Sequence, residues 1–408
     1  MTAVPTSTSR DRGTSAAGSS ISVAAFLQGF RPVVGGAQLQ YERLLPRLRA
    51  RGAEIEVITR AHADVPRREL LDGAKIRRTL VGGTSPVASA DYILECAAHL
   101  TRRRRSVDLV HAHGALSEGA AALWGTVLGL PVLVKILRTG PEGDLQTLDR
   151  RPAGPQRLNL LAERAWFAAV SAEARAEIES RGVPPTRIFD IPNGVDTGTF
   201  RPADGHEKRR LRDQLGLPAE TLIVYTGRLE SVKRIEILVR AMSDVPTAAL
   251  VIVGDGPERR GLEELVVELE LGGRVRFAGN RANVADYLRA ADVFATPSDS
   301  EGLSNALLEA MAAGLACLAA RASAVRELLA DERGVLVDSG DPRQWSRALN
   351  EMVAGRALAD HLGRRAAHHV ASTLTLENTA DRLMSAYRQI VAAGGEHGAR
   401  TDLRPEPA

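Results

Sequence analysis

The sequence has few cysteines, few aromatic residues and no excess of charge of one sign. Cysteine occurs only at Cys96 and Cys317, without the spacing of a metal site or a redox pair. Because disulfides are rare in reducing compartments, this usage fits a cytoplasmic protein. The 53 lysines and arginines are spread along the chain and nearly balance the 50 aspartates and glutamates, which disfavours a dedicated nucleic-acid-binding protein.

The sequence also lacks a long uninterrupted apolar segment. Its longest apolar region, at 119–134, contains Gly125, Gly129 and Pro131, so it predicts a helix, a turn and a buried strand rather than a membrane span. Residues 1–20 are rich in small polar residues and lack the apolar core of a signal peptide, so we expect a disordered leader there. These absences predict a soluble protein.

Two series of short apolar segments alternate with longer amphipathic ones, which is typical of parallel sheets covered by helices on both faces. The predicted strands of the first series are 21–27, 55–59, 109–112, 132–137 and 167–170. Those of the second series are 222–226, 249–253, 275–278, 293–295 and 316–320. Because the pattern restarts once, it predicts an α/β protein with two Rossmann-like, doubly wound domains and a cleft between them.

The boundary between the two predicted domains lies near 196–204, in a turn-rich segment. We expect a first domain at 21–198 and a second at 199–375. A last helix at about 376–392 follows, and it can pack against either domain. The tail at 393–408 is expected to be disordered.

Two cations follow a buried strand of the second domain. Arg228 and Lys233 precede a helix that we expect to begin near Ser231. Cations are unfavourable at a helix N-terminus, where the macrodipole is positive, unless an anion joins them. A diphosphate fits, because arginine binds two oxygens in a fork and lysine adds a compact charge. The alternative, equally open on this segment alone, is that both side chains are solvated surface.

The next two strands also end in small turn residues. Gly254, in the segment GDGP, allows a ligand or a neighbouring backbone to approach closely. The same residues are ordinary turn chemistry, and this structural explanation is the simpler one. Gly279 and Asn280 end the following strand, where backbone groups are placed to contact a nucleotide base.

The segment SDSEGLSNALLEAMAAG contains two glutamates eight positions apart. Residues 306–313 predict a buried helix that is apolar except for Glu309 and is capped by Ser304 or Asn305. A buried carboxylate needs a cation, backbone donors or ligand hydroxyls, and a ribose diol would supply two donors. The structural alternative is a salt-bridged Glu309.

Glu301, the first of the two glutamates, lies in the loop before this helix. There its carboxylate can face the cleft, while the amides around Leu303 to Asn305 point toward an anion. The alternative is that Glu301 is an exposed surface residue.

These motifs together resemble the retaining glycosyltransferases of family 4. The second half contributes GRL with the lysine five residues after its arginine, VGDGPE, and the two glutamates of EGLSNALLEAMAAG. The first half contributes GGAQ at 35–38, HAHG at 111–114 and IPNGVD at 191–196. The resemblance covers nearly the whole chain except its two ends. It implies a GT-B fold, with an acceptor-binding first domain, a second domain that binds a nucleotide-activated sugar, and a final helix that crosses back to the first domain.

The resemblance also implies roles for individual residues. Arg228 and Lys233 would hold the donor diphosphate, and Glu309 would accept hydrogen bonds from the ribose. Glu301 would contact the transferring sugar. The amides of Leu303 and Ser304, just before the helix that carries Glu309, would also contact the donor. Across the cleft, the glycine loop of the first domain, Gly35 and Gly36, would contribute. A further contact would come from Gly254 in the GDGP loop.

No metal ion or other cofactor is needed on this scheme, because cations and amides of the protein stabilise the leaving diphosphate. The sequence has no convincing Asp-x-Asp motif, and Asp299 between two serines is an insufficient candidate. In this family, retention is usually described as a front-face attack in which the leaving phosphate oxygen takes the proton of the acceptor.

Two histidines of the first domain follow a strand. His111 and His113 are two positions apart around a strand end, and we expect His111 in the core and His113 at the cleft, with a catalytic role. Many relatives carry a histidine after the next strand, but this chain has Leu137, Arg138 and Thr139 there. That catalytic histidine therefore cannot be transferred to this chain.

The resemblance to one branch of the family suggests an alternative: Lys135, Arg138 and the segment that extends to Asp144 are candidates for an acceptor-side or phosphate-contacting loop. The segment RASAVRE also replaces a Gly-Gly-x-Pro that many relatives carry, so the role of that loop stays open.

The predicted activity is metal-independent transfer of a sugar, with retention, from a nucleoside diphosphate-sugar to a hydroxyl of a glycan, a lipid-linked sugar or a small molecule. The alternatives are a nucleotide-sugar 2-epimerase and a noncatalytic sugar-nucleotide-binding partner of another transferase. The basic run at 102–105 leaves open a peripheral contact with the inner membrane face, although a solvated helix end is the simpler explanation.

Overall fold

The structure is a computed structural model that describes residues 20–32, 35–298, 303–321, 323–338 and 340–401. Its strands are β1 (Ile21–Phe26), β2 (Ala53–Ala61), β3 (Arg68–Leu71), β4 (Ala74–Gly82), β5 (Leu109–His113), β6 (Val132–Ile136), β7 (Trp166–Ala169), β8 (Ile188–Asp190), β9 (Thr221–Thr226), β10 (Ala248–Val253), β11 (Val275–Gly279), β12 (Val293–Thr296), β13 (Ala316–Ala320) and β14 (Val335–Val337).

The helices complete an alternating order of strand and helix. They are α1 (Gly36–Ala50), α2 (Pro86–Arg103), α3 (Ser117–Val127), α4 (Asp144–Asp149), α5 (Gly154–Arg164), α6 (Ala172–Glu179), α7 (Gly205–Leu215), α8 (Ile235–Ala241), α9 (Arg259–Glu268), α10 (Val284–Ala290), α11 (Asn305–Ala312), α12 (Ser323–Leu329), α13 (Pro342–Ala354), α14 (Arg356–Thr373) and α15 (Leu376–Thr401).

Two separate sheets form the two halves of the molecule. The N-terminal sheet has the order β3-β4-β2-β1-β5-β6-β7-β8, and only β3 is antiparallel to its neighbour. The C-terminal sheet has the order β11-β10-β9-β12-β13-β14 and is parallel throughout. All ten predicted strands are present, which confirms two Rossmann-like α/β domains. The expected boundary lies in the connection between β8 and α7.

Apart from the β3–β4 edge, each sheet is buried on both faces, which explains why these strands are nearly continuous apolar runs. In the N-terminal half, α1 and α15 cover one face, and α2, α3 and α5 cover the other. In the C-terminal half, α8, α9 and α13 cover one face, and α10, α11 and α12 cover the other. Among the described residues, every helix is too short or too polar to cross a bilayer.

The last helix crosses back to the N-terminal domain, as the family resemblance implied. Helix α15 packs against α1, and two ion pairs of 2.7 Å, Arg47–Glu377 and Arg51–Asp381, tie the two helices together. The helix extends to Thr401, past the expected end at residue 392 and into the segment predicted to be disordered. The predicted leader at 1–20 lies outside the described residues except for its last residue.

Four strands of the structure were not predicted: β3, β4, β8 and β14. Strands β3 and β4 form a hairpin whose two-residue loop is Asp72-Gly73, both with positive φ (49° and 74°). Aspartate and glycine tolerate this conformation, so the loop is a hairpin signal that the apolar pattern alone did not include. Strands β8 and β14 have only three residues each.

Candidate active site

The loops at the carboxyl edge of the C-terminal sheet are tied to one another through the backbone. Gly227 N donates to Val253 O (3.0 Å), and Gly254 N donates to Gly279 O (2.9 Å). A β-carbon at Gly254, which has a φ of 149°, would lie 1.8 Å from Gly227 O. Glycine is therefore required at position 254 by the neighbouring backbone, which supports the structural explanation for this residue. Its proximity to a donor stays a prediction.

Arg228 and Lys233 extend from the first of these loops. The side chain of Arg228 is 65% exposed, and its Nη2 lies 3.1 Å from Glu230 Oε1. Lys233 ends a 3-10 turn, and Arg234, in the left-handed conformation (φ 52°), separates this turn from α8. The prediction that the helix begins near Ser231 is therefore wrong by four residues. The exposed guanidinium of Arg228 remains accessible to an anion in the cleft.

Glu309 lies on α11 and forms an ion pair with the other domain. Its Oε1 accepts a hydrogen bond of 2.7 Å from Arg43 Nη1 of α1. Burial raises the pKa of Glu309, and the guanidinium of Arg43 opposes that rise. A salt bridge and a contact with ribose hydroxyls were the two explanations for a carboxylate in this buried helix, and the structure shows the salt bridge. A contact with ribose hydroxyls stays a prediction.

Arg43 is a residue that the sequence did not indicate. Its guanidinium lies 5.3 Å from the ring centroid of Phe200, in the connection between the two sheets. Only 26% of its side chain is exposed. The signal that was available is indirect: a buried carboxylate at position 309 requires a partner, but nothing in its spacing identifies which arginine supplies it.

The start of α11 meets the glycine loop of the N-terminal domain. Ser304 caps the helix by accepting a hydrogen bond from Leu307 N (3.5 Å), which settles the cap between the two predicted residues. Gly35 is the N-cap of α1, and Gly36 O accepts a hydrogen bond of 2.8 Å from Asn305 Nδ2. The structure thus brings together the glycine loop and the helix start that were both expected near the donor phosphate.

A chain of hydrogen bonds continues from this point into the N-terminal sheet. Asn193 Nδ2 donates to Asn305 Oδ1 (3.0 Å), and Lys135 Nζ donates to Asn193 Oδ1 (2.9 Å). Lys135 is buried at the carboxyl end of β6, and burial lowers its pKa to about 8. Asn193 and Asn305 were not predicted as functional residues, although both lie in motifs that carry the resemblance.

Both histidines of β5 are buried. His111 Nδ1 lies 2.7 Å from the hydroxyl of Tyr387, and the ring of His113 lies 4.1 Å from the rings of His111 and Tyr41. Burial lowers the pKa of His111 to about 3 and, with smaller contributions from His111 and Lys135, lowers the pKa of His113 well below its ordinary value. His113 is only 4% exposed, so it does not present an open ring at the cleft as expected. Its catalytic role stays a prediction, and at neutral pH it is an uncharged imidazole.

A buried carboxylate, Glu118, lies at the carboxyl edge of the N-terminal sheet. Its Oε2 accepts a hydrogen bond of 2.7 Å from Gln28 Nε2, and burial raises its pKa to about 7. No ion pair with a cation accompanies Glu118 among the described residues. The sequence did not indicate this residue, because one glutamate in the first turn of a helix is ordinary.

The loop that replaces the histidine of many relatives is held by carboxylates. Asp144 Oδ2 accepts from Leu137 N (2.8 Å), and its Oδ1 lies 3.5 Å from Arg138 Nε. Thr139 Oγ1 donates to Glu173 Oε2 (2.8 Å). The side chain of Arg138 is 57% exposed, so a cation is available at this edge of the sheet.

Two predicted positions lie outside the described residues. They are Glu301, expected at the transferring sugar, and Asp299, the weak metal candidate. Leu303, which follows that gap, is buried at 9% exposure.

Two family models match the chain. The model described as Glycosyltransferase Family 4 matches residues 34–199, and the model described as Glycosyl transferases group 1 matches residues 207–369. The division between these matches lies in the connection between the two sheets.

Curated relatives are similar over nearly the whole chain. A D-inositol 3-phosphate glycosyltransferase from Kineococcus radiotolerans is 31% identical over 399 residues, which cover 88% of this chain and 91% of the relative. An enzyme of the same name from Acidothermus cellulolyticus is 30% identical and covers 88% of this chain and 86% of the relative.

Solved structures share the arrangement of both domains. Sucrose-phosphate synthase from Thermosynechococcus elongatus has a TM-score of 0.78 at 24% identity and covers 91% of this chain and 100% of that chain. Anabaena Alr3699/HepE, solved with UDP and glucose, has a TM-score of 0.76 at 18% identity. The match covers 90% of this chain and 100% of that chain. These likenesses show the GT-B fold.

Proposed function

This chain belongs to glycosyltransferase family 4, and on that basis we propose that it transfers a sugar, with retention and without a metal ion, from a nucleoside diphosphate-sugar to a hydroxyl acceptor. The observation that best supports the donor part is the meeting of the glycine loop, at Gly36, with the start of α11 across the cleft. Glu309 and Arg228, which we propose contact the nucleotide-sugar, lie on the same C-terminal domain.

The proposed donor site has the charges that the reaction needs. Cleavage of the sugar-phosphate bond leaves negative charge on the diphosphate and positive charge at the anomeric carbon. Arg228 and Lys233 are proposed to stabilise the first, and Glu301 the second. On this proposal the leaving phosphate oxygen accepts the proton of the acceptor hydroxyl, so no protein nucleophile takes part.

The proposed acceptor site is the carboxyl edge of the N-terminal sheet. The ionisable side chains there include Lys135 and Glu118, both buried, and the exposed Arg138. Burial raises the pKa of Glu118 to about 7, well above that of an ordinary carboxyl group, which favours its protonated form as a hydrogen-bond donor to a hydroxyl. The named relatives act on D-inositol 3-phosphate, and the cations at this edge suit a phosphate-bearing acceptor. That compound is therefore the first acceptor to test.

The donor is best identified by thermal stabilisation of the purified protein with UDP-, GDP-, ADP- and dTDP-sugars. One donor class should raise the unfolding temperature and be hydrolysed slowly without an acceptor. Failure of all four would contradict the proposed donor class.

Once the donor is identified, analysis of the reaction product determines the acceptor and the stereochemistry of transfer. We expect a glycoside of the donor's anomeric configuration, formed equally in the presence of a chelator. A sugar epimer formed without an acceptor would support the epimerase alternative, and an inverted glycoside would contradict retention.

We also propose that the protein acts in the cytoplasm. Cys96 and Cys317 are unpaired and buried in different domains, as a reducing compartment permits. Peripheral contact with the membrane stays a prediction here, because the basic run at 102–105 is its only support from the sequence.

A further inference from the structure

A groove of about 520 Å³ lies between the β3–β4 hairpin and the last turn of α2. The cross-strand pairs Arg68–Arg77 and Leu70–Lys75 place these four side chains on one face of the hairpin. Helix α2 runs from the carboxyl end of β4 to the amino end of β5, so its last turn lies on the side of the sheet away from the cleft. The groove is therefore separate from the proposed acceptor site.

The groove contains more cations than the protein neutralises. Five of them line it, and one, Arg77, lies 3.3 Å from Glu95. The other four are exposed and form no ion pair among the described residues: Arg68, Lys75, Arg102 and Arg103. Unpaired like charges repel one another, and this repulsion is relieved when an anion binds between them.

Among the described residues, neither of the two carboxylates that line the groove forms an ion pair with these four cations. Glu69 accepts a hydrogen bond of 2.6 Å from Arg78, which is buried. Glu56 lies 3.7 Å from His99 Nε2, too far for a hydrogen bond.

His99 gives an independent indication of a ligand. It lines the groove although it is only 3% exposed, and its buried Nε2 has no hydrogen-bond partner among the described residues. Buried polar atoms are normally paired, so an acceptor or donor from outside the chain would satisfy this nitrogen.

One apolar side chain of the same groove is largely exposed. Leu70, which pairs with Lys75 across the hairpin, is 72% exposed. An exposed leucine beside unpaired cations is unfavourable in water, but it suits the interface of an anionic bilayer, where phosphates meet acyl chains.

We propose that this groove docks the protein on an anionic lipid bilayer. Its four unpaired cations bind lipid phosphates, and Leu70 enters the boundary between headgroups and acyl chains. Pairing of the edge strand β3 with a protein partner would use backbone groups and leave these cations unneutralised. Because the groove is distant from the cleft, the docked protein keeps its donor site open to solvent. The inference does not depend on the proposed substrates.

The test is sedimentation of the full-length protein with phosphatidylcholine vesicles, with and without phosphatidylglycerol. Binding should require phosphatidylglycerol and weaken between about 0.05 M and 0.5 M salt. Each cation contributes roughly fivefold to the affinity, so each of the double variants Arg102→Ala/Arg103→Ala and Arg68→Ala/Lys75→Ala should weaken binding by about 25-fold. Leu70→Ser should weaken it further at high salt, where the apolar contact dominates.

The matched control is Arg347→Ala/Arg364→Ala, which removes two exposed arginines of the C-terminal domain that form no ion pair among the described residues. It should bind vesicles like the unmodified protein. All variants should keep the thermal midpoint and the response to donor, which shows that they are folded.

The proposal is overturned if the protein does not sediment with anionic vesicles, or if the groove variants and the control bind equally well. Stabilisation by pyrophosphate that is lost in the groove variants, without vesicle binding, would assign the groove to a soluble phosphate ligand and would also overturn it.

Discussion

The carboxyl edges of the two sheets face one cleft but present charge in different ways. On the C-terminal edge, backbone hydrogen bonds hold the loops together, and Arg228 projects from them with a largely exposed side chain. On the N-terminal edge, Lys135, Glu118 and His113 are buried, and burial displaces their pKa values. An accessible cation suits the binding of a diphosphate, whereas buried ionisable groups respond to any ligand that changes their hydration. Substitutions on the two edges should therefore affect different steps.

Lys233→Ala and Arg228→Ala should have the largest effects, because they remove the cations proposed to hold the leaving diphosphate. Loss of one preorganised charge-stabilising group costs roughly 10²–10³-fold in turnover, and we expect a fall of this size in kcat/KM with weaker donor binding. Steady-state kinetics and titration with the nucleoside diphosphate measure both quantities. Glu301→Ala should instead lower turnover and leave donor binding largely unchanged.

Arg260→Ala is the control for these two variants, because Arg260 is an exposed arginine of the same domain that pairs with Glu264 on α9. It should behave like the unmodified enzyme. Full turnover by Lys233→Ala at subsaturating donor would show that Lys233 does not act on the donor.

Arg43→Ala tests the ion pair that joins the two domains. Burial already raises the pKa of Glu309, so its ionised form is unfavourable in the fold and the penalty increases as the pH rises through that pKa. Without Arg43, we expect a loss of roughly 1–3 kcal/mol in the free energy of unfolding at slightly alkaline pH, and a smaller loss at acidic pH. Urea unfolding at both pH values measures the difference.

The double variant Arg43→Ala/Glu309→Gln should lose most of that pH dependence, because it removes the titrating group. A destabilisation by Arg43→Ala that is equal at both pH values would indicate that Arg43 acts through its packing on Phe200 and not through the charge of Glu309.

Lys135→Met should have the smallest effect and should act on the acceptor alone. It removes the buried cation but keeps the length of the side chain, so we expect about a tenfold rise in the KM for a phosphate-bearing acceptor and an unchanged affinity for the donor. Because the pKa of Lys135 is about 8, the unmodified enzyme should also lose acceptor affinity as the pH rises above that value. Lys135→Met should lack this pH dependence. A change in donor affinity instead would contradict the assignment of Lys135 to the acceptor.

The fold was predictable because both sheets, apart from the β3–β4 edge, are buried on both faces. Each of the ten predicted strands is an apolar run that the sequence separates clearly from the helices around it. The hairpin of β3 and β4 was missed because it lies at the edge of the sheet, where Lys75 and Arg77 alternate with buried residues and the run is not apolar. Strands β8 and β14 are too short for any pattern to develop.

The candidate site was predictable only where its residues share a short segment. Gly36, Ser304 and Glu309 were named from motifs, and the structure places the motifs side by side. Arg43 is separated from its partner Glu309 by 266 positions, so no spacing rule connects them. The burial of His113 was missed for a related reason, because the ring of Tyr41 that covers it comes from another element.

The return of α15 to the N-terminal domain also determines how the two domains can move. The chain passes between the domains twice, and both passages meet at one place: Val195 N donates to Leu374 O (2.8 Å), and Leu376 N donates to Val195 O (3.0 Å). Two connections bonded at a single point act as one pivot, whereas two distant connections would fix the domains rigidly. A rotation of one domain about Val195 would change the width of the cleft, and it would have to act against both the ion pair of Arg43 with Glu309 and the hydrogen bond of Asn305 with Gly36.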